Sequence, residues 1–248
     1  MAPVKVLLSG VGNISRRPER GIVTITISSK GTEQAKVSKD IRAAALAIEN
    51  QVRSLALVDP SAGTNDAPAV ERWYSDAMTS RSSAQTYWVD KYDNVVPNPN
   101  HISAQVDAKE NLGIKEKIEK THFASMRIVV RFRDFTKLSE CTNSLSLHPL
   151  VEVTSVSWEL TEETKKELHG QVIKEAYKDA YEKATAFAEA IGVQRVQPVS
   201  IKPQGSETAW AKDLDFEDEC VEEGDVGLNY VPRDLSFDSA WDLEFELS

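Results

Sequence analysis

The sequence predicts an α+β fold, a largely antiparallel sheet covered on one face by two long helices and a shorter one. Three observations predict it. Val151–Gln204 reads as a strand, a long alanine-rich helix and another strand. Val23, Ile25 and Ile27 alternate with Thr24, Thr26 and Ser28 in a half-buried strand that precedes a second helical pattern. Near the end of the chain, apolar residues fall on odd positions and acids on even ones, the signature of a further strand.

Val4, Val6 and Leu8 alternate as a first strand, and Gly10-Val11-Gly12 then reads as a turn. It lacks the third glycine of a dinucleotide fingerprint. A helix from about Thr32 to Leu55 places Val37, Ile41, Ala44, Ala45, Ile48, Val52 and Leu55 on one face. Asp59–Gly63 follows as a loop, and Val70–Met78 as a third strand. The stretch Thr79–Thr121 has no clear periodicity apart from a short helix expected near Ile114, and it is expected as an excursion from the domain.

Met126, Ile128, Val130 and Phe132 resume the alternation, with Arg127, Arg131 and Arg133 on the other face. A short helix is expected over Asp134–Leu147, then a strand from Val151 whose phase shift near Thr154–Ser155 implies a β-bulge. In the long helix, Leu168, Val172, Ala176, Ala180, Ala184, Phe187 and Ile191 form a stripe small enough to lie close against a sheet. Thr164 and Glu167 fit a capping box at its start, and Gly192 is a stop. Val199 and Ile201 mark a strand that Pro198 and Pro203 place at an edge. The closing strand, about 235–247, carries Asp238, Asp242, Glu244 and Glu246, acids that suit the Arg127–Arg133 face as a neighbour. The whole is expected as one domain over 1–248.

Composition narrows the function classes. The net charge is −10, but 14 of the 39 acids and only two of the 29 bases lie from Glu207 onward. The preceding part is therefore nearly neutral, and the acidic loop at about 207–227 repels nucleic acid and anionic membrane surfaces. No stretch is apolar enough to span a membrane, and the N-terminal run lacks the shape of a secretory signal. Cys141 and Cys220 make no disulfide framework, so a cytoplasmic protein is expected. His101, His122, His148 and His169 show no metal-ligand spacing, and no phosphate loop or nucleophile elbow is present. No catalytic residue, cofactor or metal is therefore expected.

Cys141 reads as a packing thiol, and Cys220 is set among acids that oppose its ionisation. The best acid/base grouping is Glu163, His169, Tyr177 and Tyr181, with the two tyrosines better read as the border of the buried stripe. A stronger signal is the aromatic set Trp73, Tyr74, Tyr87, Trp88 and Tyr92 in and beside the excursion, read equally well as a candidate interaction surface or as a lid folded back over the sheet.

Several segments resemble the SIMPL domain, named for a signalling molecule that associates with a pelle-like kinase. They are the early Gly-rich strand with Pro18, the first helix and Arg133-Asp134-Phe135-Thr136-Lys137-Leu138. The strand Val151–Glu159, the Ala176–Gly192 helix and Pro232-Arg233-Asp234-Leu235 complete the pattern. The resemblance implies a protein-interaction, signalling or stress-response factor and supplies no catalytic residues. Its bacterial members are typically envelope proteins with a signal peptide, some related to oxidative stress. The leading expectation is thus a non-enzymatic scaffold that binds a protein partner or itself, the edge strand near Val199 being one place for self-assembly. The alternative is an enzyme or small-molecule binder with a pocket between sheet and excursion.

Overall fold

A computed structural model describes residues 3–57, 67–96, 114–204 and 230–248. The expected loops at Asp59–Gly63 and 207–227, with His101 and Cys220, lie outside the described residues. The fold is α+β, with nine strands and three helices among the described residues. They are β1 (Val4–Arg16), β2 (Arg20–Gly31), α1 (Gln34–Ala56), β3 (Val70–Ser75), β4 (Thr79–Val89), β5 (Val95–Val96) and β6 (Lys115–Phe132). Then come α2 (Phe135–Ser146), β7 (Val151–Glu159), α3 (Glu162–Ala190), β8 (Val196–Pro203) and β9 (Leu235–Leu247). The strands form two sheets, in the orders β1-β9-β8 and β5-β4-β6-β2-β7, with β3 also paired to β6. The chain divides into two compact units, one of residues 1–22, 132–139 and 156–248, the other of residues 23–131 and 140–155.

In the first of these units, α3 lies on the three-stranded sheet. Its buried row is Leu168, Val172, Ala176, Ala180, Ala184 and Ala188, a strict four-residue spacing. Phe187 and Ile191, expected in that row, are exposed. The row follows the i±4 ridge of the helix, which selects Ala188 and turns Phe187 outward. Gly10 and Gly12 do not make a turn. They sit inside β1, paired with Trp241 and Ser239 of β9. A Cβ on Gly10 would fall on the Ala176 carbonyl oxygen, and one on Gly12 on that of Val172. The glycines are there so that a helix backbone can approach a strand backbone. Around that contact Leu243, Phe245 and Leu247 pack with Ala180, Ala184 and Ala188, while Leu235 and Phe237 pack with Leu160, Leu168 and Val172.

β9 pairs with β1 and β8, antiparallel to both, and lies in a different sheet from β6, so the expected pairing with the arginine face does not occur. Its outward acids find other partners, Glu244 with Lys5 at 3.3 Å and Asp238 with Asn13. Matching alternation under one helix outweighed exposed charge, since surface pairs contribute little. β8 is the expected edge strand, with a register shift between Pro198 and Ser200.

The cap of α3 lies one turn earlier than the sequence implied. Thr161 is the N-cap, and Glu19, from the β1–β2 connection, accepts from the Thr161 backbone N–H at 2.8 Å and from the Thr161 and Thr164 hydroxyls at 2.7 and 2.8 Å. Partial burial raises the Glu19 pKa, but these hydrogen bonds and the Arg20 charge outweigh it and the net shift is downward. Gly192, at φ +74°, ends the helix as expected.

At the open side of β1 the helix supplies a clasp. Asp179 Oδ2 accepts the Val11 N–H at 2.8 Å, and Lys183 Nζ donates to Asp179 at 2.7 Å and to the Ser9 carbonyl at 2.9 Å. These side chains occupy the backbone groups that a further strand would take.

In the other unit, α1 buries Val37, Ile41, Ala44, Ala45, Ile48 and Val52, as the periodicity predicts, and meets β3, where Ser75 donates to Glu49 at 3.1 Å. Val23, Ile25 and Ile27 of β2 and Ile128 and Val130 of β6 are buried. In β7, consecutive exposure at Thr154 and Ser155 marks the expected change of phase.

Two glycines on opposite sides of these rules give a paired expectation. Gly10→Ala should destabilise the protein by about 1–3 kcal/mol, the usual range for overpacked cores. Gly170→Ala, in α3 with nothing within 4 Å of the added methyl, should stabilise it by about 0.5–1 kcal/mol. Urea denaturation of both variants measures this. The clasp adds a pH dependence. The hydrogen bond from Lys183, then that from Val11, hold the Asp179 carboxyl below its usual range. A carboxyl depressed in the fold adds stability above its unfolded pKa and loses it as pH falls through the folded one, here below about pH 4. Asp179→Asn should remove ~0.3–0.5 kcal/mol at neutral pH and nothing in acid, as exposed pairs of this spacing do. Denaturation midpoints at pH 7 and pH 3 check it.

Candidate interaction surface

The stretch expected as an excursion without strands is mostly a two-stranded arm. Thr79–Val89 pairs residue for residue with Lys115–Ser125, from Thr79↔Ser125 to Val89↔Lys115, and β5 caps it through Trp88↔Val96 and Val89↔Val95. Ile114 is not helical, and β6 begins at the next residue. The sequence hid the arm because its period-two signal is one of polar against polar. Ser80, Ser82, Ser83, Ala84 and Gln85 face Ala124, His122, Thr121, Lys120 and Glu119. A ribbon with neither face in a core has no reason to alternate hydrophobicity.

At the ~3.3 Å rise of a strand, Thr79–Val89 gives the arm a length of about 35 Å. Thr79–Thr86 and Lys115–Lys120 are exposed throughout. At the root, where β3 gives way to β4, Asp76 holds Arg127 through both Nε and Nη2 at 2.7 Å, and the Asp76 N–H donates to the Arg127 carbonyl at 2.8 Å. Thr79 and Ser125 share a hydroxyl hydrogen bond at 2.9 Å. Along one face Arg81 lies over the Phe123 ring at 5.2 Å and Lys117 over the Tyr87 ring at 6.0 Å, each a directly cross-strand pair. On the other face Ser82 Oγ and His122 Nδ1 share a hydrogen bond of 2.7 Å.

The tip is a tight turn organised by Asp90. Its carboxylate accepts from the Tyr92 N–H at 2.7 Å and from the Asn94 N–H and side-chain amide at 3.0 Å, while Asp93 takes φ +63°. The Asn94 side-chain bond, then its backbone bond, lower the Asp90 pKa. This is the local hydrogen bonding for which aspartate is favoured in turns. It sets Tyr92 outward, 73% exposed, with Lys91 Nζ over its ring at 5.0 Å. Val89 is buried and Tyr87 and Trp88 are half-buried.

The five aromatic residues singled out in the sequence are therefore placed in two groups. Trp73, half-buried, and Tyr74, exposed, lie on β3 at the root. Tyr87, Trp88 and Tyr92 lie at the far end, with exposed Val95. The sequence missed Ile118, 58% exposed toward the tip of the arm opposite Thr86, because it sat in a charged run.

The acid/base grouping does not assemble. Tyr177 and Tyr181 stack at 6.0 Å between ring centres and both meet Phe245, as border residues of the buried row. His169 is exposed on the same helix, about 12 Å along the axis from Tyr177 at 1.5 Å per residue. Cys141 is buried in α2, and burial pushes its thiol up to about 11, which opposes nucleophilic use. Among the described residues no group of His, Cys, Asp and Glu side chains is arranged to hold a metal ion, and no helix is long and apolar enough to cross a membrane.

An α+β fold with a glycine-bearing first strand under a long alanine-rich helix, and with an exposed arm, is the class of protein this chain defines. The pattern of the SIMPL family, described as proteins of unknown function (DUF541), matches residues 6–226, and the chain belongs to that family. No curated protein matches the chain significantly.

The arm's exposure has a measurable consequence. Strand pairing without a covered face opens locally at low cost. In hydrogen exchange, the amides of Thr79–Thr86 should exchange at least ten-fold faster than those of Val23–Ile27, as roughly 1.4 kcal/mol of lower local stability implies.

Proposed function

We propose that the protein is a non-enzymatic interaction protein of the cytoplasm that docks partners through the arm of β4 and β6. The observation that carries this reading is the arm itself, an 11-residue strand pairing exposed over Thr79–Thr86 and Lys115–Lys120, with Trp88, Tyr92 and Val95 at its end. Aromatic rings on a rigid turn supply large contact area at small entropic cost, which is what binding hot spots use. The Asp90 turn fixes the tip before any partner arrives, so little ordering is left to oppose binding. The signalling or stress-response role that the family resemblance implies would run through such contacts.

A photo-crosslinking side chain placed at Tyr92 in the full chain, in its own cells, tests this. It should give discrete adducts that a crosslinker at Lys36 on α1 does not give. Trp88→Ala should reduce those adducts about ten-fold or more, as loss of a ring from a hot spot does. Far-UV circular dichroism should be unchanged. Equal adducts from both positions would sink the reading.

A further inference from the structure

Among the described residues, one edge of the arm is open. β6 has 18 residues and β2, its neighbour on the side away from β4, has 12. The buried residues of β6 are Ala124, Ile128, Val130 and Phe132, all toward its C-terminal end, whereas Lys115–Lys120 are all exposed. From this burial we place β2 along the C-terminal part, which leaves the exposed run, among the described residues, with a free edge on that side. Across the arm Lys117 lies over the Tyr87 ring, and no opposite charge stands directly across from the run. Glu116, Lys117, Glu119 and Lys120 stand opposite Trp88, Tyr87, Gln85 and Ala84, none of them charged.

The order of those charges is the informative part. Glu116-Lys117-Ile118-Glu119-Lys120 reads negative, positive, neutral, negative, positive. Reversed, it reads as its own complement. We propose that two copies of this chain pair antiparallel along the free edge of β6, with the two-fold axis at Ile118. The proposal deepens the interaction reading above, because it names the partner of one edge of the arm. In that register Glu116 faces Lys120 of the second copy, Lys117 faces Glu119, and Ile118 faces Ile118, each charged pair occurring twice. Directly opposite residues share a face, so the pairing sets the two Ile118 side chains together and covers part of a residue left 58% exposed in the single chain. The result is a four-stranded ribbon, β4-β6-β6-β4, with the Tyr92 tips at opposite ends.

Charges on an edge ordinarily keep strands apart. A run of one sign would repel its own copy. This run instead penalises a slip by one residue, which sets Lys117 against Lys120 and Glu116 against an uncharged residue. It favours the single register centred on Ile118.

The test uses the full chain and native mass spectrometry across rising concentration and salt. The wild-type protein should form a dimer that weakens as salt rises, since exposed pairs are screened. Glu116→Lys and Lys120→Glu each place like charges opposite one another twice, and should each weaken the dimer roughly 10- to 100-fold. An equimolar mixture of the two variants restores every opposite pair and should re-form the dimer. That rescue separates the proposal from simple misfolding. A wild-type monomer at all concentrations, two variants that dimerise as the wild type does, or variants that mixing fails to rescue would each overturn it. A monomer whose Tyr92 crosslinks persist would overturn self-pairing while leaving the docking role of the arm intact.

Discussion

The close approach of α3 to β1 is the constraint on which the first unit depends. At Gly10 and Gly12 the helix carbonyls of Ala176 and Val172 occupy the space that side chains would fill. An approach that close works only if the helix is nearly bare on that side, which is why its row is four alanines after Leu168 and Val172. Small residues bury little apolar area each. The larger side chains of β9, Leu243, Phe245 and Leu247, therefore make up the core beside them. The low position of the helix also brings Asp179 and Lys183 level with the β1 backbone, where they take the Val11 N–H and the Ser9 carbonyl. Packing, core composition and edge protection thus follow from the same two glycines.

Edges are handled in three different ways in this chain. At β1 a helix side-chain pair occupies the backbone groups. At β8, Pro198 and Pro203 remove donors, and the register shift at Pro198–Ser200 disturbs the ladder. On the arm neither device is used, and charge alone stands on the open edge of β6. The β1 edge is thus partly occupied by side chains and the β8 edge interrupted by prolines, whereas the exposed run of β6 carries a charge pattern that discriminates among strands. That difference is the reason to look for a partner at the arm rather than at the three-stranded sheet.

The arm is held by short-range contacts rather than by a core. Asp76 and Arg127 fix its root, the Arg81–Phe123 and Lys117–Tyr87 pairs its length, and Asp90 its tip. The two cation–ring pairs are each worth about 0.5–1 kcal/mol at an exposed site, enough to favour one geometry without locking it. An element of this kind keeps its strand form available for binding, because its ordering cost has been met in part beforehand.

The sequence by itself determined the elements whose periodicity meets a core. Val23, Ile25 and Ile27, the α1 face, the odd-numbered residues of β9 and the edge character of β8 were all legible, because burial on one side imposes a period. The candidate site was legible only as a set of aromatic residues. That Tyr92 and Trp88 stand at the end of a paired arm was not, since a strand pair exposed over Thr79–Thr86 and Lys115–Lys120 leaves no hydrophobic signature there. Tertiary structure alone decided that Gly10 and Gly12 lie within a strand. It also chose Ala188 over Phe187, capped α3 with Glu19 from 142 residues away, and paired β9 with β1 rather than with the arginine face. Each of those outcomes turns on which backbone lies within a few ångströms of which, and that is set by long-range packing that no local pattern in the chain records.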